Sequence, residues 1–467
     1  FVPASENLWQ EGGRFMADNT KNSLGETLSL LIEGKKYAAA RDELETMHPA
    51  DIAAMLEDTK SEIIPLLFRL LPKELAAETF VEMDEDQQQL LIQSFSDSEL
   101  KEVVDELYMD DAADLVGEMP ANVVMRILRQ ADPEMRHMIN EILKYPEDSA
   151  GSIMTTEYVS LRPEMTVEDA IKRIRRTGID KETINTCYVT NDNRQLLGIV
   201  TVRALLLNDE DEIMADIMTD DVIKALTTED RETVAMNFSK YDLSAMPVVD
   251  EENRLVGIVT VDDVIDVMQE ETTEDIEKMA AITPLDKPYL KTAVTDTYKS
   301  RIPWLLILMI SATFTGLIIT KFETALATQI ALAACIPMLM DTGGNAGSQA
   351  SVTVIRGMSI GEIEFSDILR VIWKEIRVAA LCGITLAAAN FVKLLVVERV
   401  GIMVAAVVCI TLAIVVLVAK IVGCTLPMVA SKIGFDPAVM ASPFITTIVD
   451  AISLFIYFEI ATALLKI

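Results

Sequence analysis

The last third of the chain consists of five apolar segments, and these limit its possible fold more than any other feature. Each is close to the roughly 20 residues that an α-helix needs to span a bilayer. The segments cover about residues 302–320, 325–341, 378–397, 402–422 and 441–464. Residues 301–467 are therefore predicted to form an α-helical transmembrane bundle of five helices.

Basic residues between the second and third segments predict the orientation of this bundle. Arg356, Arg370, Lys374 and Arg377 lie there, which is more bases than in either predicted outer loop. Because Lys and Arg are enriched in cytoplasmic loops, this loop and the amino terminus are predicted to lie inside the cell. Five crossings then place the carboxyl terminus outside.

Nearly all of the excess negative charge lies before the apolar segments. Residues 301–467 hold 11 Lys and Arg against 10 Asp and Glu, whereas the preceding part holds 29 bases and 63 acids. A polyanion of this kind repels nucleic acid and concentrates cations, so no nucleic-acid partner is expected. The five cysteines and two histidines have no metal-binding spacing, and neither a disulfide framework nor a zinc site is predicted.

Residues 1–15 resemble the remnant of an expression tag with altered protease-cleavage sites. They precede the first methionine, Met16, which we take as the native start. The segment has no basic region followed by an apolar core, so it is not expected to be a signal peptide. The domains before the membrane bundle are expected to remain in the cytoplasm.

Residues 16–150 are predicted to form an acidic helical domain. Leu and Ala recur at three- and four-residue spacing, and Pro, Gly or Asp interrupts the pattern, as in Met47-His-Pro-Ala-Asp-Ile and Leu71-Pro-Lys-Glu-Leu. Such short helices favour stacked hairpins in an α-helical superhelix.

Residues 154–268 contain an internal α/β repeat. Met154-Thr-Thr is echoed by Met218-Thr-Asp, and Leu196-Leu-Gly-Ile-Val-Thr-Val is echoed by Leu255-Val-Gly-Ile-Val-Thr-Val. Each copy combines a helical stretch with two apolar strands. Residues 151–270 thus resemble a tandem pair of cystathionine-β-synthase-like (CBS) domains.

The CBS resemblance implies a regulatory module that binds adenosine nucleotides or metal ions. The nucleotide motif of such domains, Thr-x-x-Asp after the second strand, is present as Thr260-Val-Asp-Asp263. The first copy has Thr201-Val-Arg-Ala204 and lacks the acid. At most one conventional site for ATP or another adenosine nucleotide is therefore implied, with Thr260 and Asp263 as its residues.

A ladder of acids follows the repeat. Residues 250–277 hold 11 acids and one base, and a helix over residues 262–280 would place five of the acids on one face, namely Asp263, Asp266, Glu270, Glu274 and Glu277. Like charges at this spacing destabilise a helix by about 0.2–0.5 kcal/mol per pair. The ladder is either a surface stabilised by bound cations or an ordinary solvated face.

Asp450 lies near the middle of the last apolar segment. A carboxylate at the centre of a membrane helix costs about 3 kcal/mol or more unless it meets water, a cation or a partner. A helix would place Ser442, Thr446, Asp450, Ser453 and Tyr457 on one polar face. Asp450 therefore either serves an ion path or hydrogen-bonds a neighbouring helix.

The second apolar segment ends in a polar, Gly-rich run, Pro337-Met-Leu-Met-Asp-Thr-Gly-Gly-Asn-Ala-Gly-Ser-Gln-Ala-Ser351. Polar backbone at membrane depth persists only where it packs in protein or lines water. The small residues also allow close approach between helices.

These two membrane motifs, preceded by a CBS pair and an acidic helical domain, resemble the MgtE family of magnesium channels from about residue 20 to the end. The resemblance implies a homodimer in a bacterial cell membrane, with the ion path at the subunit interface. Asp450 would hold a hydrated Mg²⁺, with help from Ser442, Thr446 and the Asn345 region. Ser442 stands where some family members carry Asn. Regulatory Mg²⁺ sites would involve Asp263, Asp266, Glu271, Glu274, Asp275, Asp110 and Asp114.

The family resemblance suggests a mechanism of feedback gating. At high internal Mg²⁺, ions would bridge the acidic faces, and a connecting helix over residues 271–300 would hold the pore closed. No Gly-x-x-x-x-Gly-Lys-Ser/Thr phosphate loop is present, so coupling to ATP hydrolysis is not indicated. A divalent ion gains about 4.6 kcal/mol on entry at 100 mV, which suffices for passive inward flow.

Two alternatives remain open. Asp341-Thr-Gly matches the short motif of aspartic proteases, and Asp450 could be the partner carboxylate of an intramembrane protease. A CBS-regulated carrier of another cation, such as Na⁺, Co²⁺ or Zn²⁺, is the other. The scarcity of His and accessible Cys argues against Zn²⁺ as the transported ion. Of these interpretations we favour transport, so the protein is not expected to be an enzyme.

Overall fold

The computed structural model describes residues 25, 27–28, 30–32, 34–285, 287–440 and 442–465. Residues 1–15 and Met16, which we interpret as a tag remnant and the native start, lie outside the described residues. The chain divides into two compact units, Phe1–Ile265 and Asp266–Ile467. Each is described by itself.

The first unit begins with a series of short helices. Alternate helices of the series pack on each other: Pro49–Glu57 on Lys73–Val81, the latter on Asp97–Val104, and that helix on Ala121–Gln130. They share a core that buries Leu56, Phe80 and Leu100. This arrangement confirms the predicted α-helical superhelix. The helices are α1 (Tyr37–Leu44), α2 (Pro49–Glu57), α3 (Ile64–Phe68), α4 (Lys73–Val81), α5 (Glu85–Ser94), α6 (Asp97–Val104), α7 (Met109–Glu118), α8 (Ala121–Gln130) and α9 (Pro133–Ile142).

Local capping fixes where several of these helices start. The Asp84 carboxylate accepts a hydrogen bond from the backbone N–H of Gln87, and Ser96 forms a capping box with Glu99. Pro133 occupies the first turn of α9, where its missing N–H is not needed. The Pro and Asp residues that interrupt the sequence pattern are therefore the helix boundaries.

The repeat folds into two three-stranded sheets with the same topology. In each sheet a short parallel strand flanks an antiparallel hairpin, in the orders β1-β2-β3 and β4-β5-β6. The elements are β1 (Ser160–Leu161), α10 (Val167–Thr177), β2 (Thr186–Thr190), β3 (Leu196–Thr201), α11 (Val202–Leu207), α12 (Met214–Ile217), β4 (Ala225–Leu226), α13 (Arg231–Tyr241), β5 (Ala245–Val249) and β6 (Leu255–Thr260).

The two copies exchange their leading segments. Thr155 pairs with Ile258 of the second copy, and Thr219 pairs with Ile199 of the first. A Cβ atom at Gly257 would lie 2.6 Å from the Thr155 carbonyl oxygen, and a Cβ at Gly198 would lie 2.7 Å from that of Thr219. The glycine in each Gly-Ile-Val motif is thus required for this close approach, and the predicted CBS pair is confirmed.

The acid ladder lies on one helix, α14 (Val261–Met279). The connecting helix predicted over residues 271–300 is wrong in its extent, because α14 ends at Met279 and the next helix starts at Val294. Pro284 and Pro288 fall between them, and proline lacks the N–H that a continuing helix needs.

A C-cap motif at the end of α14 also terminates the helix. The backbone N–H of Ile282 donates to the Glu277 carbonyl and that of Ala281 to the Lys278 carbonyl, each at 2.9 Å. Ala281 has a φ of 55°. This is a Schellman ending with alanine in the left-handed position that usually holds glycine.

The second unit contains five long helices, as the apolar segments predict. Among the described residues, four spans are long and apolar enough to cross a membrane: Val294–Lys321, Phe365–Val396, Ile402–Lys432 and Pro437–Leu465. The helices are α15 (Val294–Lys321), α16 (Glu323–Thr328), α17 (Ile330–Ser359), α18 (Ile368–Val396), α19 (Ile402–Lys432) and α20 (Ser442–Leu465).

The remaining long helix, α17, does not have the bounds of the predicted apolar segment 325–341. It starts at Ile330 and continues as a regular helix through the whole Gly-rich run to Ser359. It packs against both α19 and α20. The contact with α19 is very close, since a Cβ at Gly423 would lie 2.2 Å from the Gly347 carbonyl oxygen. The glycines of this run therefore serve helix packing.

Candidate ion path and carboxylate clusters

Helices α17 and α20 meet through glycines, which sets the position of Asp450. A Cβ at Gly344 would lie 3.0 Å from Cγ2 of Thr446, and a Cβ at Gly347 would lie 2.7 Å from Cγ2 of Ile445. Thr446 therefore lies against the α17 backbone. Asp450, one turn further along α20, is half-buried, and its Oδ1 atom is buried without a hydrogen-bond partner among the described residues.

The predicted polar face of α20 is divided by the fold. Ser453 and Tyr457 are buried, and the Tyr457 hydroxyl donates to the Leu332 carbonyl at 3.0 Å. The regular helix keeps both side chains on the face predicted for Asp450, but packing buries them in the protein interior, whereas Asp450 is only half-buried. Asn345 is exposed on α17. The Ser442 side chain lies outside what the structure describes, so its predicted role stays a prediction.

A second group of acids, the interdomain carboxylate cluster, joins the helical domain to the CBS pair. Its members come from α7, from two CBS loops and from the start of α14. Asp110 is 6% exposed, and the Oε2 atom of Glu182 is buried without a hydrogen-bond partner among the described residues. The cluster comprises Asp110, Asp111, Glu157, Glu182, Asp262 and Asp263.

Burial and mutual repulsion perturb these acids. Burial, and then repulsion from Asp263, raises the pKa of Asp110 well above its usual range. The same two causes raise the pKa of Asp111 to about 7. Burial, followed by repulsion from Asp262 and Asp263, raises the pKa of Glu182 to about 8. A nearby cation or a proton is therefore needed to stabilise the cluster near neutral pH.

The predicted regulatory residues are thus only partly brought together. Asp110 and Asp263 belong to the interdomain cluster, whereas the Asp114 side chain is exposed on α7. Asp111 and Glu182 were missed, because no local pattern indicates which loop acid will face α7. Asp266, Glu271, Glu274 and Asp275 lie in the second unit.

In the second unit, the end of α14 contacts the loops beside the membrane helices. The Lys278 ammonium lies 2.6 Å from Oε1 of Glu274 and 2.7 Å from Oδ2 of Asp436, in the loop before α20. Asp275 is hydrogen-bonded with Ser359 at the end of α17, and burial raises its pKa. Asp436 was missed as a site residue, although its Asp-Pro sequence marks the start of the last membrane motif.

No direct metal cage is formed by the described residues. Among them, no group of three His, Cys, Asp or Glu side chains is arranged to hold a metal ion. Mg²⁺ keeps several waters and commonly uses only one or two carboxylates.

The nucleotide motif does not line the open cavity described for the CBS pair. Thr260 Oγ1 donates to Asp263 at 2.6 Å, and Asp263 faces the interdomain cluster. An open cavity of about 620 Å³ is lined mostly by the first copy, where Ala204 replaces the acid, and also by Ser244 of the second copy. Its lining residues are Asn185, Thr186, Thr201, Val202, Arg203, Leu206, Leu207 and Ser244.

A bundle of apolar helices with an intramembrane carboxylate, preceded by acidic helical and CBS domains, is typical of a membrane transporter of cations. Family models match in the corresponding order: the MgtE intracellular N domain over residues 47–148, CBS domains over 150–210 and 214–270, and a divalent cation transporter domain of MgtE over 336–460. The chain belongs to the MgtE family.

Relatives match over nearly the whole chain. The magnesium transporter MgtE of Thermus thermophilus is 36% identical over 96% of this chain and 99% of its own length. The magnesium transporter MgtE of Bacillus subtilis is 32% identical over 93% of this chain and 96% of its own length. The family resemblance inferred from the motifs is therefore confirmed.

Solved structures resemble the part before the membrane helices. The cytosolic domain of the Mg²⁺ channel MgtE in complex with ATP is 37% identical, with a TM-score of 0.50, over 52% of this chain and 99% of that one. The soluble part of a magnesium transporter is 29% identical, with a TM-score of 0.51, over 54% of this chain and 99% of that one.

Proposed function

We propose that this protein imports Mg²⁺ passively through the membrane bundle. The observation that carries the proposal is Asp450, a half-buried carboxylate on α20 with an unpartnered Oδ1 atom, in a chain whose relatives are named magnesium transporters. A carboxylate so placed needs water or a cation. The inward electrical driving force for a divalent ion is about 4.6 kcal/mol at 100 mV.

The residues around Asp450 suit a hydrated ion. Thr446 and Asn345 offer neutral oxygen atoms, and one carboxylate attracts Mg²⁺ without enclosing it. Such a site binds the ion through its waters and can release it. Ser442, at the start of α20, is proposed to extend the same path.

We further propose that the working unit is a homodimer in a bacterial inner membrane. The Asn345 side of α17 is exposed in a single chain, and a polar surface at membrane depth needs water or protein against it. A second copy placed there would complete a polar path. The cytoplasmic side would hold the amino-terminal domains, and the carboxyl terminus would lie outside.

Gating is proposed to act through the two acidic regions. When internal Mg²⁺ is high, cations neutralise the interdomain carboxylate cluster and the acids of α14, so the helical domain, the CBS pair and α14 hold together. When Mg²⁺ falls, the carboxylates repel each other. The contact of Lys278 with Asp436 links the end of α14 to the loop that leads into α20, and so connects this change to the ion path.

The transport proposal is tested in liposomes that contain a Mg²⁺-sensitive dye. We expect the native protein to carry Mg²⁺ and Asp450→Asn to abolish the flux. Glu459→Gln is the matched control, because Glu459 is exposed on the opposite side of the same helix. Flux that survives in Asp450→Asn, or native flux of Na⁺ or Co²⁺ without Mg²⁺, would contradict the proposal.

An adenosine nucleotide is proposed to bind at the cavity of the first CBS copy rather than at Thr260 and Asp263. Arg203 can pair with phosphate, and hydroxyl and amide groups line the same cavity. The missing acid at Ala204 is expected to weaken ribose recognition. Calorimetry with ATP should give weak binding to the native protein and at least about tenfold tighter binding to Ala204→Asp. Equal affinities would count against this placement.

A further inference from the structure

Asp341 lies at the level of Asp450 across the contact between α17 and α20. The helices run antiparallel, since Gly343 lies beside Val449 whereas Gly347 lies beside Ile445. Gly344 is opposite Thr446, so a step of about one turn along each helix brings Asp341 to Asp450. The two carboxylates are close enough to repel each other.

The Asp341 side chain also belongs to a continuous polar surface. Asp341, Asn345 and Gln349 follow at four-residue intervals and are all exposed on α17. Leu339 and Ala350, on the other side of the helix, are buried. A charged side chain that faces lipid is unfavourable, and polar groups at membrane depth line water or protein. This surface, like Asp450, therefore needs water or protein against it.

We propose that Asp341 is a second carboxylate of the ion path and sets the preference for divalent over monovalent cations. The inference rests on the proposed function, because it assigns a role within the same path. Each copy brings the two negative charges of Asp341 and Asp450 to the path, and this charge density attracts a divalent ion more strongly than a monovalent one. A hydrated Mg²⁺ can serve both carboxylates through its waters.

This role also accounts for the Asp341-Thr-Gly motif. The motif lies within the regular helix α17 rather than on a strand, and the path needs both carboxylates ionised rather than sharing a catalytic proton. A neutral side chain at position 341 should therefore alter ion preference without removing transport. In a protease whose two aspartates share a catalytic proton, neutralising either acid would abolish activity.

The test compares Asp341→Asn and Asp341→Glu with the native full-length protein in liposomes. Mg²⁺ flux gives the half-saturating concentration, and flux in opposing Mg²⁺ and K⁺ gradients gives the selectivity. We expect Asp341→Asn to conduct with a half-saturating Mg²⁺ concentration at least about fivefold higher and with about tenfold lower selectivity over K⁺. Asp341→Glu keeps the charge and should retain selectivity with about a twofold shift in half-saturation.

Glu459→Gln is again the control and should match the native protein in both measurements. Native half-saturation and selectivity in Asp341→Asn would overturn the inference, while loss of flux in Asp450→Asn would still support the proposed function. Absence of Mg²⁺ flux in the native protein would instead contradict the proposed function itself. Should Asp341→Asn fail to assemble on size-exclusion chromatography, Asp341→Ser takes its place as the neutral variant, and native half-saturation and selectivity in that variant overturn the inference.

Discussion

The Lys278 ammonium lies 2.7 Å from the Asp436 carboxylate and ties the end of α14 to the loop that precedes α20. Burial alone would lower the pKa of Lys278, but the hydrogen bonds to Asp436 and Glu274 outweigh burial and raise it. The lysine therefore acts as a built-in cation between two acids. It supplies part of the neutralisation that the gating proposal assigns to Mg²⁺.

Replacing this cation should make closure more dependent on Mg²⁺. Lys278→Met leaves Glu274 and Asp436 facing each other, and a partly exposed pair of this kind contributes about 1 kcal/mol. We expect the Mg²⁺ concentration that half-inhibits flux to rise about fivefold. Lys299→Met, which removes an exposed lysine paired with Asp296, is the control. An unchanged inhibition curve in Lys278→Met would show that this contact does not take part in closure.

The interdomain carboxylate cluster should make the contact between the helical domain and the CBS pair sensitive to pH. The folded-state pKa values of Asp111 and Glu182 are raised to about 7 and about 8. Their contribution to stability is therefore full below about pH 4 and is lost as the pH rises through 7 to 8. Without Mg²⁺, the protection of α7 amides relative to their intrinsic exchange rate should fall between about pH 6 and 8, and added Mg²⁺ should restore it.

Asp111→Asn tests the cause of that pH dependence. Removing one carboxylate lowers the repulsion, so the fall in protection with pH should become smaller in the absence of Mg²⁺. Asp105→Asn changes an exposed acid that pairs with Lys101 and should behave like the native protein. Equal pH profiles for Asp111→Asn and the native protein would rule out repulsion in the cluster as the cause.

The contact between α17 and α19 should tolerate no side chain at Gly423. A Cβ atom there would lie 2.2 Å from the Gly347 carbonyl oxygen, so Gly423→Ala forces the helices apart. Overpacking of this kind costs about 1–3 kcal/mol or more. Gly316→Ala is the matched control, since no atom lies within 4 Å of its added Cβ. Thermal unfolding in detergent should separate the two variants, and equal melting temperatures would contradict the packing described here.

The buried ion pair between α18 and α19 should depend on both partners. Lys420 Nζ lies 3.3 Å from Glu375 Oε2, and the two side chains are only 7% and 12% exposed. Glu375→Gln leaves a buried, uncompensated ammonium and is expected to destabilise the protein by about 3–5 kcal/mol. The double variant Lys420→Met/Glu375→Gln should recover most of the loss. A double variant no more stable than Glu375→Gln would show that the charge is not the cause.

Local sequence patterns predicted the elements of this protein well. The apolar segments gave five long helices, and the repeated Gly-Ile-Val motif gave two equivalent sheets. Both patterns reflect the periodicity of a single helix or strand, which neighbouring residues alone encode. The extent of two helices was wrong. Pro284 and Pro288 interrupt the connecting segment, and the Gly-rich run continues α17 because its glycines pack against other helices.

The sequence by itself determined the class of protein: membrane helices with an intramembrane acid, preceded by an acidic helical domain and a CBS pair. Only the tertiary structure decided which charges meet. Asp110 and Asp111 face Glu182 and Asp263, Lys278 pairs with Asp436, and Tyr457 turns inward although it shares a helical face with Asp450. The paired charges are far apart along the chain. The burial of Tyr457 depends on which neighbouring helix covers that face of α20. The burial of these side chains and the pairing of their charges are therefore set by the packing of helices and domains, which a local sequence pattern does not predict.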